Sequence, residues 1–336
     1  MTHLLLPDPV TRPRFPGSPS RPRRLLRSVA VVACLPYLCL KVAWIAGSHL
    51  GIPQGSPLLT HRTTMAVANG ITVLMDGTVI VLSLLLTRPW GLRVPAWTLA
   101  VPMWPATGLL APIMTGFPLQ LVVRAFDDNP GGGGKPFLDA WVFGVVYSGF
   151  IVQGLALGTL FGLYARDRWG RLWRGWVCEL PASVTGATQR ATAVAAAVLA
   201  LWPATLRLLW SCGATTGLSR GRIADRGADS SLMEVLHLGF LIACVTGAWL
   251  LAFRRGRALR VAVPLALAWV GSGAAACWGA WMLLASLPGV EDTASRPTPM
   301  MSLTYAVQMI VGILVAALGA HFLAERSAAV GRHPSP

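Results

Sequence analysis

The most informative ionisable residues of this 336-residue chain are Lys41, Asp76 and Arg207, which lie well inside segments that are apolar enough to cross a membrane. A charge near the bilayer centre costs roughly 2.5–3.5 kcal/mol on insertion scales, so such residues usually face the interior of a helix bundle and pair. Lys41 lies below the outer end of the first apolar segment, and Asp76 lies near the middle of the second. Because these helices are antiparallel neighbours in sequence, a Lys41–Asp76 ion pair is within reach of the lysine stem.

These residues allow two interpretations, and the sequence leaves both open. In the first, Asp76 binds a proton or cation in a cavity between two halves of the protein, and Lys41 and Arg207 attract an anionic group or tune the protonation of Asp76. Two amides, Asn69 and Gln153, are further candidates for this substrate or ion site. In the second, Lys41 and Arg207 snorkel outward to the membrane interface, and Asp76 is a structural acid.

The sequence shows no pattern typical of catalysis or of a bound cofactor. It contains no evident nucleophile–base pair and no catalytic carboxylate dyad. The six cysteines form no CxxC motif and no Cys/His cluster with the spacing of metal ligands. We therefore expect a protein that is not an enzyme and that holds neither a metal nor a cofactor.

The stretch around Lys41 recurs around Arg207. Residues 36–51 read PYLCLKVAWIAGSHLG and residues 203–217 read PATLRLLWSCGATTG, and from Lys41 onward the two align without a gap. The matched pairs are Lys41 and Arg207, Trp44 and Trp210, Gly47 and Gly213, and Gly51 and Gly217. This pattern predicts an internal duplication, in which the four glycines pack helices closely on the face that carries the cation.

The predicted duplication does not extend to Asp76. Cys244 or Val245 occupies the aligned position in the second half, so the intramembrane acid is expected to occur once. Glu234 is expected to pair instead with His237, which follows it by one helical turn.

The composition is that of a membrane protein. Hydrophobic residues make up 54% of the chain and charged residues only 12%, compared with about 25% charged residues in soluble domains. We predict an all-α, polytopic helix bundle, arranged as two parallel four-helix repeats. The eight expected spans are Leu25–Ala46, Thr63–Leu86, Val94–Thr115, Phe137–Tyr164, Ala191–Cys212, Leu232–Phe253, Val261–Leu287 and Leu303–Ala324. Pro102 and Pro105 are expected to bend or break the third span.

The loops predict the orientation of the chain. With the N-terminus inside, cytoplasmic segments hold 19 of the 28 Lys and Arg residues and external loops hold seven. Because positive charge is enriched on the cytoplasmic side, both termini are expected to be cytoplasmic. The same distribution explains the net charge of +15 without a nucleic-acid partner. We expect the protein to lie in a bacterial cell membrane.

Outside the two membrane halves, at residues 25–164 and 191–324, we expect a disordered Arg/Pro-rich tail at 1–24, a cytoplasmic loop at 165–190 and a second tail at 325–336. The external loop Asp127–Pro136 is glycine-rich and is predicted to be a flexible tether. The cytoplasmic loop interleaves arginine with tryptophan, which predicts a short interfacial helix on anionic lipid headgroups. Its lipid-facing candidates are Arg166, Arg168, Trp169, Arg171, Trp173, Arg174 and Trp176.

A row of small residues in the fourth span, Gly154, Gly158 and Gly162, is predicted to pack against a neighbouring helix.

Leu40, Lys41, Trp44 and Gly47, in an eight-span chain rich in arginine and poor in lysine, resemble uncharacterised multi-pass membrane proteins of actinobacteria. The resemblance implies membrane location and helical architecture, and that group has no established activity to transfer.

The two predicted parallel repeats favour a gradient-driven transporter or permease of a small molecule or ion, because such repeats commonly frame a central site. The alternative is a non-catalytic scaffold or accessory subunit that binds a membrane protein partner or lipid.

Overall fold

A computed structural model describes residues 21–54, 56, 59, 62–125, 138–180, 184–286 and 296–332. In these residues the regular structure is helical, apart from one isolated β-bridge. Eight helices are long and apolar enough to cross a membrane: α1 (Arg21–Ile45), α2 (Arg62–Leu85), α3 (Ala96–Ala125), α4 (Ala140–Trp169), α5 (Gly186–Ser211), α7 (Ala228–Phe253), α8 (Ala262–Ala285) and α9 (Pro299–Arg332). A short helix, α6 (Arg220–Ala224), precedes α7. The predicted all-α polytopic bundle is confirmed, and the chain is a multi-pass integral membrane protein.

Several helices extend beyond the predicted spans. Helix α1 begins at Arg21, so the end of the predicted N-terminal tail is helical, and α9 continues to Arg332. The apolar run marks only the part of a helix that matches the hydrocarbon thickness, whereas helical hydrogen bonding continues into the headgroup region. The remainder of the predicted tail, residues 1–20, and the Asp127–Pro136 tether lie outside the described residues.

Helix α3 is continuous although it contains four prolines, at positions 102, 105, 112 and 118. Pro102 and Pro105 therefore do not break the third span, and the bend that they are expected to cause stays a prediction. Transmembrane helices tolerate proline because neighbouring helices and local adjustments satisfy the backbone groups that proline frees.

The helices pack mainly within each half of the chain. Helix α1 contacts α2 and α4, while α5 contacts α7 and α9. The halves meet where α3 crosses α8 and α7. At the α3–α8 crossing, a Cβ added at Gly108 would lie 2.3 Å from the carbonyl group of Gly273. The indole of Trp104 donates a hydrogen bond across the crossing to Ser272 Oγ at 3.0 Å.

The glycine row predicted in α4 is correct at one position only. Gly154 packs against Met114 of α3, since an added Cβ would lie 2.3 Å from its sulfur. Gly158 and Gly162 have open space around them, so their predicted packing role is wrong. In α9, Gly312 does pack closely, against Ala276 of α8.

The Arg/Trp loop is not the single interfacial helix that the sequence predicts. Helix α4 continues to Trp169, and 3₁₀ turns follow at Gly170–Leu172 and Val177–Glu179. Trp176 forms the isolated β-bridge with Arg260, in the loop between α7 and α8. Because backbone hydrogen bonds hold this loop to the protein, lipid binding alone does not determine its conformation.

The members of this loop have different surroundings. Trp169 packs edge-on against Phe161 and Tyr164, and Trp173 is partly buried. Arg168 donates a hydrogen bond to the Val94 carbonyl at 2.9 Å. The exposed members of the predicted lipid-facing set are Arg166, Arg171, Arg174 and Trp176.

Candidate functional site

In the first half, Lys41 and Asp76 form a buried ion pair. Lys41 Nζ of α1 lies 2.9 Å from Asp76 Oδ2 of α2. The hydroxyl of Tyr37, one turn before Lys41, donates to Asp76 Oδ1 at 3.1 Å. This hydroxyl also hydrogen-bonds to the side-chain amide of Gln153 on α4. Three helices thus bring a cation, a carboxylate and an amide together.

Burial rules out outward snorkelling of Lys41 in this conformation. Lys41 is only 7% exposed, Asp76 is 5% exposed and Gln153 is 1% exposed. The ammonium group lies 4.8 Å from the centre of the Tyr37 ring and 5.6 Å from that of Phe150. Aromatic faces attract cations, particularly where water is excluded.

In the second half, Arg207 forms the corresponding centre. Arg207 Nη1 of α5 lies 2.6 Å from Glu234 Oε2 of α7. Arg207 Nη2 donates to Gln308 Oε1 of α9 at 3.0 Å. Arg207 is 3% exposed, and its guanidinium lies 5.8 Å from the Trp210 ring and 5.6 Å from the Tyr305 ring.

The two centres use the same chemical groups from corresponding helices. Each has a cation from the first helix of its half, a carboxylate from the second helix and a glutamine from the fourth. In both, an aromatic ring three residues before the glutamine contacts the cation. The expectation that the acid occurs only once is therefore wrong, because Glu234 supplies the second carboxylate.

Sequence comparison missed Glu234 because it lies ten positions before Cys244, which with Val245 is the candidate match to Asp76. The comparison looks for a carboxylate at an equal position along the helix, whereas Glu234 reaches the matched cation from a position nearer the start of its helix. The predicted Glu234–His237 pair is also wrong. His237 Nδ1 lies 2.6 Å from the Met233 carbonyl. Its Nε2 is buried with no hydrogen-bond partner in the described residues.

The predicted site residues do not converge in one place. Lys41, Asp76 and Gln153 form the first-half centre, whereas Arg207 belongs to the second. Asn69 joins neither, since its amide donates to the Met65 carbonyl of its own helix at 3.0 Å. The described residues contain no group of three or more side chains able to hold a metal ion.

The glycines of the repeated stretch form turns, so their predicted place on a helix face is wrong. Gly51 and Gly217 do pack closely against α4 and α9, where an added Cβ would lie 2.3 Å from Val142 and 2.0 Å from Met300 Sδ. Helices α1 and α5 end at Ile45 and Ser211, before the first glycine of each stretch. The φ angles are +95° at Gly47 and +103° at Gly213, and +73° at Gly51 and +75° at Gly217. Glycine adopts this left-handed region without the steric cost that a Cβ imposes.

Matching hydrogen bonds hold the two turns. Trp44 Nε1 donates to the Leu50 carbonyl at 2.8 Å, and Trp210 Nε1 donates to the Thr216 carbonyl at 2.9 Å. Each turn is also fixed to the start of the fourth helix of its half. The Gly51 carbonyl accepts a bond from the Asp139 amide, and the Gly217 carbonyl accepts one from the Thr298 hydroxyl. These contacts hold in place the helix ends that carry Lys41 and Arg207.

The second centre borders a small cavity at the end of the bundle where α5 stops. The cavity has a volume of about 30 Å³, which is room for one or two water molecules. Its lining consists of Trp210, Leu218, Arg222, Asp225, Arg226, Ser230 and Glu234. Lys41 and Asp76 do not line it.

Comparisons with known proteins give no family assignment: no protein-family model matches the chain, and no curated protein or solved structure matches it significantly.

Proposed function

We propose that this protein is a gradient-driven transporter or permease of a small molecule or ion, and that it is not an enzyme. The observation that carries the proposal is the pair of buried centres, Lys41–Asp76 and Arg207–Glu234. Each joins a cation and a carboxylate on different helices, so opening a pair releases a link between those helices. A substrate or proton that binds one partner would favour this opening.

The energetics of buried ion pairs support a functional role. Replacing a buried pair by apolar residues is often neutral or stabilising, whereas removing one partner costs about 3–5 kcal/mol. The pairs therefore contribute little net stability compared with an apolar core. Charged side chains inside a membrane are typically found on substrate and ion pathways.

The similarity of the two centres supports an internal duplication, as part of the same proposal. Parallel repeats frame a central pathway in several transporter folds. We place both termini in the cytoplasm of a bacterial cell, as the arginine distribution favours. The exposed arginines Arg166, Arg171 and Arg174 would then face anionic headgroups of the inner leaflet.

The alternative is a non-catalytic scaffold or accessory subunit. It is favoured by the groups that already surround Asp76, because Lys41 and Tyr37 both bond its carboxylate and Asp76 is 5% exposed. A centre that never opens would serve to fix α1 and α2 relative to each other. A partner protein or a lipid would then supply the function.

Thiol labelling of Val79→Cys distinguishes the two, because Val79 is buried one turn after Asp76 on α2 and its substitution leaves the Lys41–Asp76 pair intact. The variant is made in a background cleared of the six native cysteines, and a membrane-impermeant reagent is applied from each side in turn. A transporter exposes position 79 to water from at least one side during its cycle. A folded protein that reacts from neither side would favour the scaffold.

A further inference from the structure

The cavity beside Glu234 distinguishes the second centre from the first. Glu234 lies between two guanidinium groups: Oε2 is 2.6 Å from Arg207 Nη1, and Oε1 is 3.8 Å from Arg222 Nη2. The Arg207 side chain is 3% exposed, whereas that of Arg222 is 46% exposed. The carboxylate therefore connects a buried cation with one that reaches the surface.

The lining of this cavity carries equal numbers of charges, Arg222 and Arg226 against Asp225 and Glu234. The buried Arg207, which does not line the cavity but pairs with Glu234, adds a third cation and gives the cluster one excess positive charge. A concave site with an excess of one charge raises the local concentration of the opposite ion.

The arginines differ in how firmly they are held. Arg226 caps the end of α5, donating to the carbonyls of Gly213, Ala214 and Trp210 at 2.5–3.0 Å. Arg222 lies at 3.8 Å from Glu234, beyond hydrogen-bond distance. In addition, Arg207 Nε is buried with no hydrogen-bond partner in the described residues. The centre thus has guanidinium donors that its own carboxylate does not satisfy.

We infer that this cavity is a binding site for a small anion, which competes with the Glu234 carboxylate for Arg222 and Arg207. The inference rests on the proposed function, whose substrate class it names: chloride or another anion no larger than one or two water molecules. A cation is disfavoured because it would have to replace two guanidinium groups at Glu234. Displacement of Glu234 by the anion would free the link between α5 and α7.

The charge preference of the cavity can be measured with reagents of opposite sign. Ser230→Cys places a thiol in the cavity wall and leaves the ion pair intact. Its labelling rates are compared for sulfonatoethyl methanethiosulfonate, which is anionic, and the trimethylammonium analogue, which is cationic. Ala46→Cys is the control, because position 46 is exposed in the first-half turn and aligns with Cys212. All variants lack the native cysteines.

We expect the anionic-to-cationic rate ratio at Ser230→Cys to exceed that at Ala46→Cys by at least about fivefold, as a potential of one or two kT would produce. Arg222→Gln should lower the ratio towards the control. Replacing gluconate by chloride at constant ionic strength should slow labelling at Ser230→Cys in a saturable way, and Arg222→Gln should weaken this protection.

Equal ratios at the two positions, or chloride protection that Arg222→Gln leaves unchanged, would overturn the anion site. These outcomes are separate from the test of transport. Water access at Val79→Cys without a charge preference at Ser230→Cys would retain the transporter and reject the anion. A charge preference at Ser230→Cys, with no labelling of Val79→Cys from either side, would retain an anion-binding site in a protein that does not open its first-half pair.

Discussion

At the scale of single residues, the Lys41–Asp76 pair can be tested by separating charge from packing. Lys41→Met or Asp76→Leu alone leaves one buried charge unpaired, which should lower the free energy of unfolding by about 3–5 kcal/mol. The double variant removes both charges and should recover most of that loss. Denaturant titration in detergent measures all four proteins, including the wild type. A double variant as unstable as the singles would show that the pair itself stabilises the fold.

Arg207→Met, Glu234→Leu and their double variant allow the same comparison in the second half. Arg207 also donates to Gln308 Oε1, so Arg207→Met leaves this oxygen without its donor as well as the Glu234 carboxylate without its partner. An unsatisfied buried polar group costs about 1–3 kcal/mol. We therefore expect the double variant Arg207→Met, Glu234→Leu to recover less of the free energy of unfolding than the first-half double variant does. The same denaturant titration measures both. Equal recovery in the two halves would mean that the Gln308 contact contributes little.

At the scale of elements, the turns that follow α1 and α5 should be sensitive to a single methyl group. Gly213→Ala adds a Cβ that meets no atom within 4 Å, so its cost is backbone strain alone at φ +103°, about 1–3 kcal/mol. Gly217→Ala adds a clash, because its Cβ would lie 2.0 Å from Met300 Sδ. Unfolding measurements should rank Gly217→Ala as the more destabilising. Gly239→Ala, in helix α7 with open space around it, is the control and should be neutral or slightly stabilising.

The contact between α3 and α8 provides a second test at this scale. Gly108→Ala forces a Cβ against the Gly273 backbone, and overpacking of this kind costs about 1–3 kcal/mol. Gly158→Ala in α4 has open space and should have no such cost. The same detergent titration compares the two. Similar losses would mean that Gly158 contacts a neighbour, as its spacing in the sequence predicts.

At the scale of the whole molecule, two native cysteines report the orientation. Cys178 lies in the loop after α4 and Cys212 at the end of α5, and both are exposed. In single-cysteine variants, an impermeant reagent added to intact cells should label Cys212 and spare Cys178. Inverted vesicles should show the reverse. Labelling of Cys178 in intact cells would reverse the proposed topology.

The sequence predicts those features that sum over many residues and misses those that depend on exact geometry. Hydropathy correctly predicts eight spans, because each span is an average over about twenty side chains. The cost of burying a charge correctly identifies Lys41, Asp76 and Arg207 as residues that face the interior of the bundle and form ion pairs. The sequence does not identify Glu234 as the partner of Arg207, because this pairing depends on how α5 and α7 pack and not on an equal position in the repeat. The glycines are assigned to the wrong role because spacing cannot show that α1 ends at Ile45.

If the buried pairs open during a transport cycle, water must reach the side chains beside them. The labelling rate of Val79→Cys, which keeps the Lys41–Asp76 pair, measures this access in cells and in inverted vesicles, with the membrane potential maintained and then collapsed by an ionophore. We expect reaction from at least one side, at a rate that changes when the potential is removed. A folded protein that reacts from neither side under either condition would contradict this expectation, and would leave Lys41–Asp76 as a permanent structural link between α1 and α2.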